Sequence, residues 1–386
     1  MAHIAEFEIH GLAGRSAPIR KELHPKTNLF FGGNGSGKTS LLRILRAVLA
    51  EDTSSLATVP FTRAEVVVAH PFQKRSFTYS LLRNSAPRSP AEERRYDPKL
   101  FVYDETGRPV PDVSLSVQPE KRPMGWAHEY LPTTRMFFGA DRTLPEMMRH
   151  SLHTEPGIED LANRLFKDAV EREWLTLYSR SQAQVRKVQE DGLADLLVAL
   201  LNRSGADENT PPEPEVSAEA AYDRAVTFLR RMRRVRTAPK IGTFTAHYER
   251  DPVLQHVMRH IDEVETKIKD IQKPIDEFRT QIDRLFSGGK KLLAGPDGLS
   301  VQLAGDRKID ISSLSSGEKQ IIRLLMAAIR GDGPILIDEP ELSMHINWQR
   351  EFIRTMRALN QDSQIIAATH SPEILADIPD ENIFRI

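Results

Sequence analysis

The sequence predicts an α/β fold in which one domain, the predicted head, is interrupted by a helical insert. A glycine-rich segment near the start of the chain and a pair of acidic residues near its end each follow an apolar strand, which is typical of a mainly parallel sheet. Between them lies a long apolar stripe at helical spacing, which predicts the insert. The predicted boundaries are 1–156 for the first part of the head, 157–286 for the insert and 287–386 for the second part.

The glycine-rich segment, residues 32–39, reads Gly-Gly-Asn-Gly-Ser-Gly-Lys-Thr and fits the pattern G-x-x-x-x-G-K-[ST]. An apolar strand at 27–31 precedes it and a helical pattern follows, so an anion would lie at a helix N-terminus, where unpaired N–H groups favour it. In this pattern the lysine reaches the outer phosphates and the last hydroxyl holds Mg²⁺. A glycine-rich turn without this role would have to match every position by chance. The residues predicted to hold a nucleotide are Gly32, Asn34, Gly35, Ser36, Gly37, Lys38, Thr39 and Ser40.

The composition excludes several classes of protein. With 386 residues and an apolar share of 40%, the chain is long enough for two or three domains with their own cores. Its 53 basic and 54 acidic residues nearly cancel, so binding to nucleic acid would need a local basic patch. The absence of cysteine excludes disulfides, thiolate zinc sites and cysteine nucleophiles. Because the sequence has neither a signal peptide nor a long apolar run, we expect a soluble, cytoplasmic protein with no membrane partner.

Short apolar segments predict an antiparallel layer beside the nucleotide-binding sheet. The opening residues alternate apolar and polar side chains, and strands are expected at 66–68 and 77–81. Two further strands are expected at 101–103 and 135–138, within and after a stretch rich in proline, arginine and glycine. The predicted head therefore combines a mixed parallel sheet with an antiparallel β layer.

The helical insert contains the strongest periodic pattern of the chain. Its apolar residues recur in steps of three and four, the spacing of a coiled-coil seam: Leu254, Val257, Ile261, Val264, Ile268, Ile271, Ile275, Phe278, Ile282 and Leu285. Such a helix would form an arm roughly 48 Å long, with a kink or break near Lys273 because Pro274 follows. The alternative is an amphipathic helix that packs on the head. The looser pattern at 158–201 favours a helical hairpin or small bundle over a two-stranded rod.

Asp338 and Glu339 follow an apolar strand at 334–337, at the sheet edge where ligands of open α/β folds gather. We expect Asp338 to hold Mg²⁺, directly or through water, and Glu339 to accept a proton from the attacking water. The alternative, in which both acids cap the following helix, leaves the phosphate loop without an acidic Mg²⁺ partner. His370 follows the apolar strand 365–368 and would sense the γ-phosphate and help to position water, although a histidine alone in such a place is more often structural.

Three further segments carry a family resemblance. Residues 314–320 resemble the signature motif of ABC ATPases, 338–345 resemble Walker B with its D-loop, and 369–372 resemble the H-switch. Together with the Walker A segment 32–39, they identify the chain as a member of the ABC ATPase superfamily. The resemblance implies an ABC-type P-loop ATPase head that uses ATP and Mg²⁺, in an ATP-sandwiched homodimer or higher homo-oligomer. The signature would serve the nucleotide of the opposite copy through Ser315 and Gly317, and Glu318 and Ser343 are further residues predicted to bind nucleotide.

Within this superfamily the chain resembles the compact SMC-like and OLD-like ATPases of bacteria. It is similar to the ATPase subunits of antiphage defence systems such as PARIS and Septu. This resemblance implies a sensor or regulatory ATPase that acts with a separate effector protein such as a nuclease or toxin. The alternatives are a RecF- or SMC-like ATPase of DNA repair that binds DNA directly, and an ATP-gated scaffold with negligible turnover.

Three features keep more than one interpretation. Arg15 would contact the nucleotide, as an arginine does in related heads, or lie on the surface. The Q-loop residue is unassigned, with Gln73 and Gln118 as candidates. An arginine cluster at 230–236 would bind DNA phosphate or a protein partner, but acidic residues just upstream favour an internally paired, solvated face.

Overall fold

The computed structural model describes residues 2–70, 74–83, 98–110, 129–132, 158–201, 217–231, 240–286, 288–330 and 333–386. These residues form two compact units, which we call the head unit (Met1–Trp174 with Glu277–Ile386) and the helical unit (Leu175–Asp276). The division falls inside two long helices. The boundaries at 157 and 286 drawn from the sequence are a different division of the chain and stay a prediction.

The elements are numbered here in chain order. The first part of the chain contains β1 (His3–His10), β2 (Ile19–Glu22), β3 (Thr27–Phe31), α1 (Lys38–Ala50), β4 (Arg63–His70), β5 (Arg75–Leu82), β6 (Lys99–Tyr103) and β7 (Glu129–Pro132). It is followed by the helices α2 (Ile158–Leu201), α3 (Ala218–Arg231), α4 (Ile241–Tyr248) and α5 (Pro252–Leu285). The last part contains β8 (Lys291–Gly295), β9 (Gly298–Gln302), β10 (Lys308–Asp310), α6 (Ser316–Arg330), β11 (Ile335–Asp338), α7 (Ile346–Leu359), β12 (Ile365–Thr369), α8 (Pro372–Leu375) and β13 (Ile383–Arg385). None of the helices in the described ranges is both long and apolar enough to cross a membrane.

A parallel sheet of the head unit carries the candidate site. Its strands lie in the order β13-β3-β12-β11-β7 and pair in parallel. Strands β11 and β12 are buried along their whole length, and β3 is buried except at its last residue. Such continuous apolar runs are typical of strands covered on both faces. The carboxyl ends of β3, β12 and β11 therefore lie side by side.

One apolar cluster joins this sheet to helix α1 and to the antiparallel sheet. Phe7 of β1 and Phe30 of β3 contact each other with ring centroids 5.8 Å apart. Leu41 and Leu45 of α1 and Ile366 of β12 belong to the same buried cluster. Full burial of each such side chain stabilises the fold by about 1.5–3 kcal/mol. The segment between β3 and α1 is thus anchored by the core at both of its ends.

The five-stranded antiparallel sheet has the strand order β2-β1-β4-β5-β6. Its residues alternate between buried and partly buried along most of β4, as expected for a sheet with one more fully covered face. The strands predicted at 66–68, 77–81 and 101–103 are confirmed as parts of β4, β5 and β6, whereas the one predicted at 135–138 lies outside the described residues. Together the parallel and antiparallel sheets confirm the predicted α/β fold class.

In the helical unit, α2 and α5 pack through Val185, Val264 and Ile268. The backbone of α2 approaches side chains of α5 closely at Gly192, whose carbonyl oxygen lies 3.1 Å from His260 Nε2. A Cβ atom at Gly192 would lie only 2.5 Å from Val264 Cγ2. The two helices therefore meet at a position where only glycine fits.

Helix α5 runs without interruption through Pro274, so of the kink or break expected near Lys273 the break does not occur, while the kink stays a prediction. Proline inside a helix forfeits one hydrogen bond and costs about 3 kcal/mol or more. Seam residues on both sides of it, Ile268 and Ile275, are buried, and burial of two such side chains is worth about as much or more. The helix therefore tolerates the proline, while the coiled-coil arm itself stays a prediction.

We predict that Gly192→Ala lowers the free energy of unfolding by about 1–3 kcal/mol, because the added methyl group overpacks against Val264. In a Val264→Ala background the same change should be neutral or stabilising, since alanine favours a helix over glycine by about 1 kcal/mol. Urea unfolding of the full chain, followed by circular dichroism, measures both effects.

Gly242→Ala in α4 is the matched control, because a Cβ there meets no described atom within 4 Å. It should not destabilise the chain. A stabilising effect of Gly192→Ala in the wild-type background would contradict the close approach of α2 and α5.

Candidate nucleotide site

The segment between β3 and α1 is a glycine loop that ends at the N-terminus of α1. Gly35 and Gly37 have φ angles of 78° and 98°, a left-handed conformation that favours glycine. Gly37 precedes the first residue of α1 and provides no capping side chain, so the first N–H groups of the helix are free to bind an anion. Gly32 lies against the backbone of Ile386, since a Cβ there would be 2.2 Å from the Ile386 carbonyl oxygen. Asn34 is exposed.

Lys38 is buried beneath this loop, and its ammonium group donates several hydrogen bonds. Its Nζ lies 2.9 Å from the Gly32 carbonyl oxygen, 3.0 Å from that of Gly33 and 3.4 Å from Ser36 Oγ. Burial lowers the pKa of Lys38, and the nearby acidic side chains, Glu339 first, oppose this shift. The lysine is therefore held against the glycine loop, where it could reach a phosphate bound by that loop.

Thr39 and Asp338 provide two oxygen atoms suited to Mg²⁺. Thr39 Oγ1 donates to Asp338 Oδ1 at 3.2 Å, so a hydroxyl and a carboxylate from different ends of the chain lie side by side. Mg²⁺ is usually held by one or two such protein oxygens together with phosphate and water, and this pair fits that requirement. Ser40, the next residue of α1, is half-buried.

Burial raises the pKa of Asp338 to about 6, because only 4% of the residue is exposed. The hydrogen bond from Thr39 acts in the opposite direction, and the negative charge of Glu339 adds to the increase. A divalent cation beside Asp338 would favour its ionised form.

Glu339 and His370 lie next to this pair at the carboxyl ends of β11 and β12. The Glu339 N–H donates to the Ala368 carbonyl oxygen at 2.7 Å, which extends the pairing of the two strands by one residue. His370 Nε2 lies 3.6 Å from Glu339 Oε1 and 3.0 Å from Lys38 Nζ. Because an ammonium group can only donate, Nε2 accepts from Lys38, and a neutral His370 carries its proton on Nδ1.

Glu341 belongs to the same cluster, although the sequence predicted no role for it. Its Oε2 accepts from Thr369 Oγ1 at 2.9 Å, and its Oε1 accepts from the backbone N–H of His370. The sequence signal that could have found it is an acidic residue three positions after Asp338, at the edge where the strand ends meet.

A second group of predicted residues lies around the start of α6. Ser315 N and Oγ each donate to Glu318 Oε2 at 2.9 Å, and Glu318 N donates to Ser315 Oγ at 3.3 Å, which is a capping box. Lys290 Nζ donates to Glu318 Oε1 at 2.8 Å. Burial acts to raise the pKa of Glu318, but the hydrogen bonds from Lys290 and Ser315 outweigh it and hold that pKa below its ordinary value. The exposed corner at Ser315 is thus fixed from beneath by a buried carboxylate.

Gly317 packs against the D-loop, defined here as residues 341–345. A Cβ atom at Gly317 would lie 2.4 Å from the Ser343 carbonyl oxygen and 3.2 Å from Trp348 Cζ3. Ser343 has a left-handed φ of 62° and an exposed side chain. Only glycine at position 317 lets α6 and the D-loop approach this closely.

The structure therefore brings the predicted residues together in two groups. The first contains the glycine loop with Lys38, Thr39, Asp338, Glu339 and His370, and the second contains Ser315, Gly317, Glu318 and Ser343. Their roles toward a nucleotide stay predictions.

The features with open interpretations are only partly described by the structure. Arg15 is exposed, and its guanidinium group donates to the Ser36 carbonyl oxygen at 3.5 Å, so it borders the glycine loop. Gln73 and Gln118 lie outside the described residues. Arg230 is exposed at the end of α3, but the other arginine side chains of the cluster 230–236 are not described.

Comparison with known proteins gives one family and several partial relatives. A family profile described as "AAA domain, putative AbiEii toxin, Type IV TA system" matches residues 182–376, a span of 195 of the 386 residues. The chain is 30% identical over 129 residues to a retron Vc95 probable ATPase of Vibrio cholerae serotype O1 biovar El Tor. This match covers 30% of this chain and 24% of the relative. It is 31% identical over 92 residues to a retron Ec83 probable ATPase of Escherichia coli, covering 20% and 17%. The matches therefore span less than a quarter of the length of these relatives.

Solved structures of SMC heads are also similar to this chain. The Smc head domain with an extended coiled coil from Pyrococcus furiosus, bound to the C-terminal domain of ScpA, has 13% sequence identity and a TM-score of 0.44. That match covers 97% of this chain and 92% of the other. The SMC head domain from Thermotoga maritima has 13% identity and a TM-score of 0.40, with 97% and 91% covered.

Because the pKa of Asp338 is raised, we predict that the wild type and Asp338→Asn differ in stability by an amount that depends on pH. Its folded pKa of about 6 lies above the ordinary value of 3.8, so between these values the folded chain binds more protons than the unfolded chain and loses stability as the pH rises. Above about pH 6, Asp338→Asn should therefore raise the free energy of unfolding by up to about 3 kcal/mol. The difference should vanish as the pH falls toward about 4. Urea unfolding in EDTA without nucleotide measures it.

Asp310→Asn is the matched control within the head unit. Burial acts to raise the pKa of Asp310, but hydrogen bonds from Lys167 and Ser312 outweigh it and keep that pKa below its ordinary value. This variant should therefore lose stability at neutral pH. A loss of stability in Asp338→Asn as well would show that the buried charge of Asp338 is not costly.

Proposed function

We propose that this chain, which belongs to the AAA-domain family whose profile it matches, is an ABC-type P-loop ATPase. It would bind Mg²⁺·ATP and hydrolyse it between two copies. One observation carries the proposal. Three segments that are far apart in the sequence meet at the carboxyl ends of three adjacent parallel strands. They carry Lys38 with Thr39, Asp338 with Glu339, and His370. This is the edge where open α/β sheets bind ligands.

Each of these residues has one task in the proposed hydrolysis. Lys38 and the N–H groups at the start of α1 bind and orient the phosphates. Thr39 and Asp338 hold Mg²⁺, which supplies charge neutralisation at the phosphate oxygens. Glu339 accepts a proton from the attacking water. His370, within 3.6 Å of Glu339, holds that water in line with the γ-phosphate. Phosphoryl transfer needs little beyond such positioning and electrostatic stabilisation.

The surface around Ser315 supports a site that a second copy completes. Ser315 and Ser316 are exposed at the N-terminus of the 15-residue helix α6. The capping box uses the N–H groups of Ser315 and Glu318, and those of Ser316 and Gly317 between them favour an anion. Leu342 and Ile346, beside the D-loop residue Ser343, are 37% and 47% exposed. An anion-binding corner flanked by exposed apolar side chains fits a surface that another copy covers in the presence of ATP. ATP would then stabilise the closed pair by binding it better than the separate copies.

The proposed role of the ATPase is to regulate a separate effector protein, such as a nuclease or toxin, in antiphage defence. Two observations support a partnered ATPase: the similarity to two retron probable ATPases, and a family profile whose description names a toxin–antitoxin system. A head that opens and closes with ATP could hold or release such a partner through a change in its own surface.

We predict that two inactive variants restore activity when they are mixed. Lys38→Ala removes the phosphate contact of one site, and Ser315→Arg blocks the corner that serves the opposite site. Each variant alone should lose ATP hydrolysis, since both of its sites are defective. In a mixed pair, one site combines an intact Lys38 with an intact Ser315, so an equal mixture should recover up to about one quarter of the wild-type rate. A steady-state phosphate-release assay measures the recovery.

The control is an equal mixture of Lys38→Ala with Glu339→Gln, which leaves both sites defective because both changes affect the same half of the site. A mixture of Lys38→Ala and Ser315→Arg that stays inactive, while both chains fold and the wild type turns over, would contradict the composite site. Full activity of Ser315→Arg alone would contradict it too.

We also predict that Glu339→Gln retains ATP and traps the closed pair, because the amide cannot accept the proton of the attacking water. Its hydrolysis rate should fall by about 10²–10⁴-fold. Light scattering after size exclusion should give twice the monomer mass with ATP and not without it. Quantitative mass spectrometry should find the effector enriched with Glu339→Gln over Lys38→Ala. Hydrolysis by Glu339→Gln at the normal rate would show that another group is the base.

A further inference from the structure

Two hydrogen bonds connect the carboxylate of Glu341 to the end of β12. Glu341 Oε2 accepts from the Thr369 hydroxyl at 2.9 Å, and Oε1 accepts from the His370 backbone N–H. Both donors belong to the segment that carries the proposed γ-phosphate sensor. Each carboxylate oxygen therefore holds one of two successive residues.

We propose that Glu341 is a positioning residue that fixes His370 for the hydrolysis step and ties this histidine to the D-loop. The proposal rests on the proposed ATPase function for its catalytic consequence. In this role Glu341 does not itself touch the reacting groups, and it acts through His370.

The pairing of β12 shows why His370 needs such a support. The last residue of β12 in the ladder with β3 is Thr369, which pairs with Phe31. The ladder with β11 ends one residue earlier, where Asp338 pairs with Ala368. The N–H of His370 thus lies just beyond the sheet, where Glu341 accepts its hydrogen bond in place of a strand.

The position of this backbone determines where the imidazole lies. His370 Nε2 is 3.0 Å from Lys38 Nζ and 3.6 Å from Glu339 Oε1. A rotation of the His370 backbone would change both distances together, and misplacement of a catalytic group by about 1 Å can cost about 10²-fold in rate. Thr369 strengthens the support because its Oγ1 also accepts from the Ser371 N–H at 2.9 Å.

The same carboxylate belongs to the D-loop, and so links His370 to α6. Ser343, two residues after Glu341, packs its carbonyl group against Gly317. Gln349 adds a second connection, since its Nε2 donates to the Met344 carbonyl oxygen at 3.0 Å and its Oε1 accepts from Ser371 Oγ at 2.7 Å. A displacement of the D-loop by a second copy would therefore be transmitted to His370 through Glu341.

Three variants test the proposal in the full chain. Glu341→Ala removes both hydrogen bonds. Glu341→Gln removes the charge but keeps the shape, because its oxygen can accept from His370 N–H and its amide can donate to Thr369 Oγ1. Glu373→Ala is the matched control, since this carboxylate lies three residues after His370 and pairs with Arg350 on the surface without touching Glu341.

We expect Glu341→Ala to lower kcat by about 10–100-fold while the Kd for ATP changes by less than about twofold. Glu341→Gln should stay within about threefold of the wild-type kcat, and Glu373→Ala should match the wild type. In a His370→Ala background, Glu341→Ala should have no further effect on kcat, because the residue acts through the histidine. A Glu341→Gln variant as slow as Glu341→Ala, or effects of Glu341→Ala and His370→Ala that multiply, would overturn the proposal.

Hydrogen exchange provides a readout that does not depend on turnover. In the chain without nucleotide, the amide of His370 should be protected in the wild type and in Glu373→Ala, and should exchange at least about tenfold faster in Glu341→Ala. Equal protection in Glu341→Ala would overturn the positioning role. If the wild type does not hydrolyse ATP at all, the proposed function fails, while the exchange measurement still decides whether Glu341 holds His370.

Discussion

The parallel pairing of β3, β12 and β11 is the constraint on which the candidate site depends. Hydrogen bonds between the strands set Ala368 opposite both Phe30 and Asp338, so three chain segments from opposite ends of the sequence finish at one level of the sheet. Each then continues into a polar residue group: the glycine loop, His370 and Glu339. Because the strands are buried on both faces, a shift in register would expose apolar side chains and is strongly disfavoured. The register therefore sets these polar groups at one level of the sheet, where the hydrogen bonds of Thr39 with Asp338 and of Lys38 with His370 connect them.

This arrangement concentrates opposite charges in a poorly solvated place. Lys38 lies near three carboxylates, those of Asp338, Glu339 and Glu341, and burial shifts the pKa of Lys38 down and that of Asp338 up. Both shifts disfavour the charged forms, so the fold pays for a site whose groups act best when ionised. A nucleotide phosphate would complement the lysine, and a divalent cation would complement Asp338. In the proposed function, the same groups that cost stability would thus provide differential affinity for Mg²⁺·ATP.

How much the sequence could predict depended on how local each feature is. The glycine loop was found because strand, loop and helix are contiguous at 27–50, and the antiparallel strands because their alternation is local. Glu341 and Lys290 were not found as partners of His370 and Glu318, because those contacts depend on strand pairing and on the path of the chain after α5. Of the kink or break expected near Lys273, the break does not occur, because the expectation considered Pro274 alone and not the burial of the apolar residues on both sides of it.

The backbone between the proposed base and the proposed dimer surface is held in an unusual conformation. Glu339 and Ser343 have left-handed φ angles of 51° and 62°, which cost side chains other than glycine of order 1 kcal/mol each. Between them lies Glu341, whose bonds to Thr369 and His370 offset that cost. A segment strained at both ends and anchored in the middle has few alternative arrangements, because a change at Ser343 must be absorbed at Glu341 or passed to Glu339. The segment from Glu339 to Ser343 therefore fits the proposed role of a connection that transmits the state of one proposed site to the other.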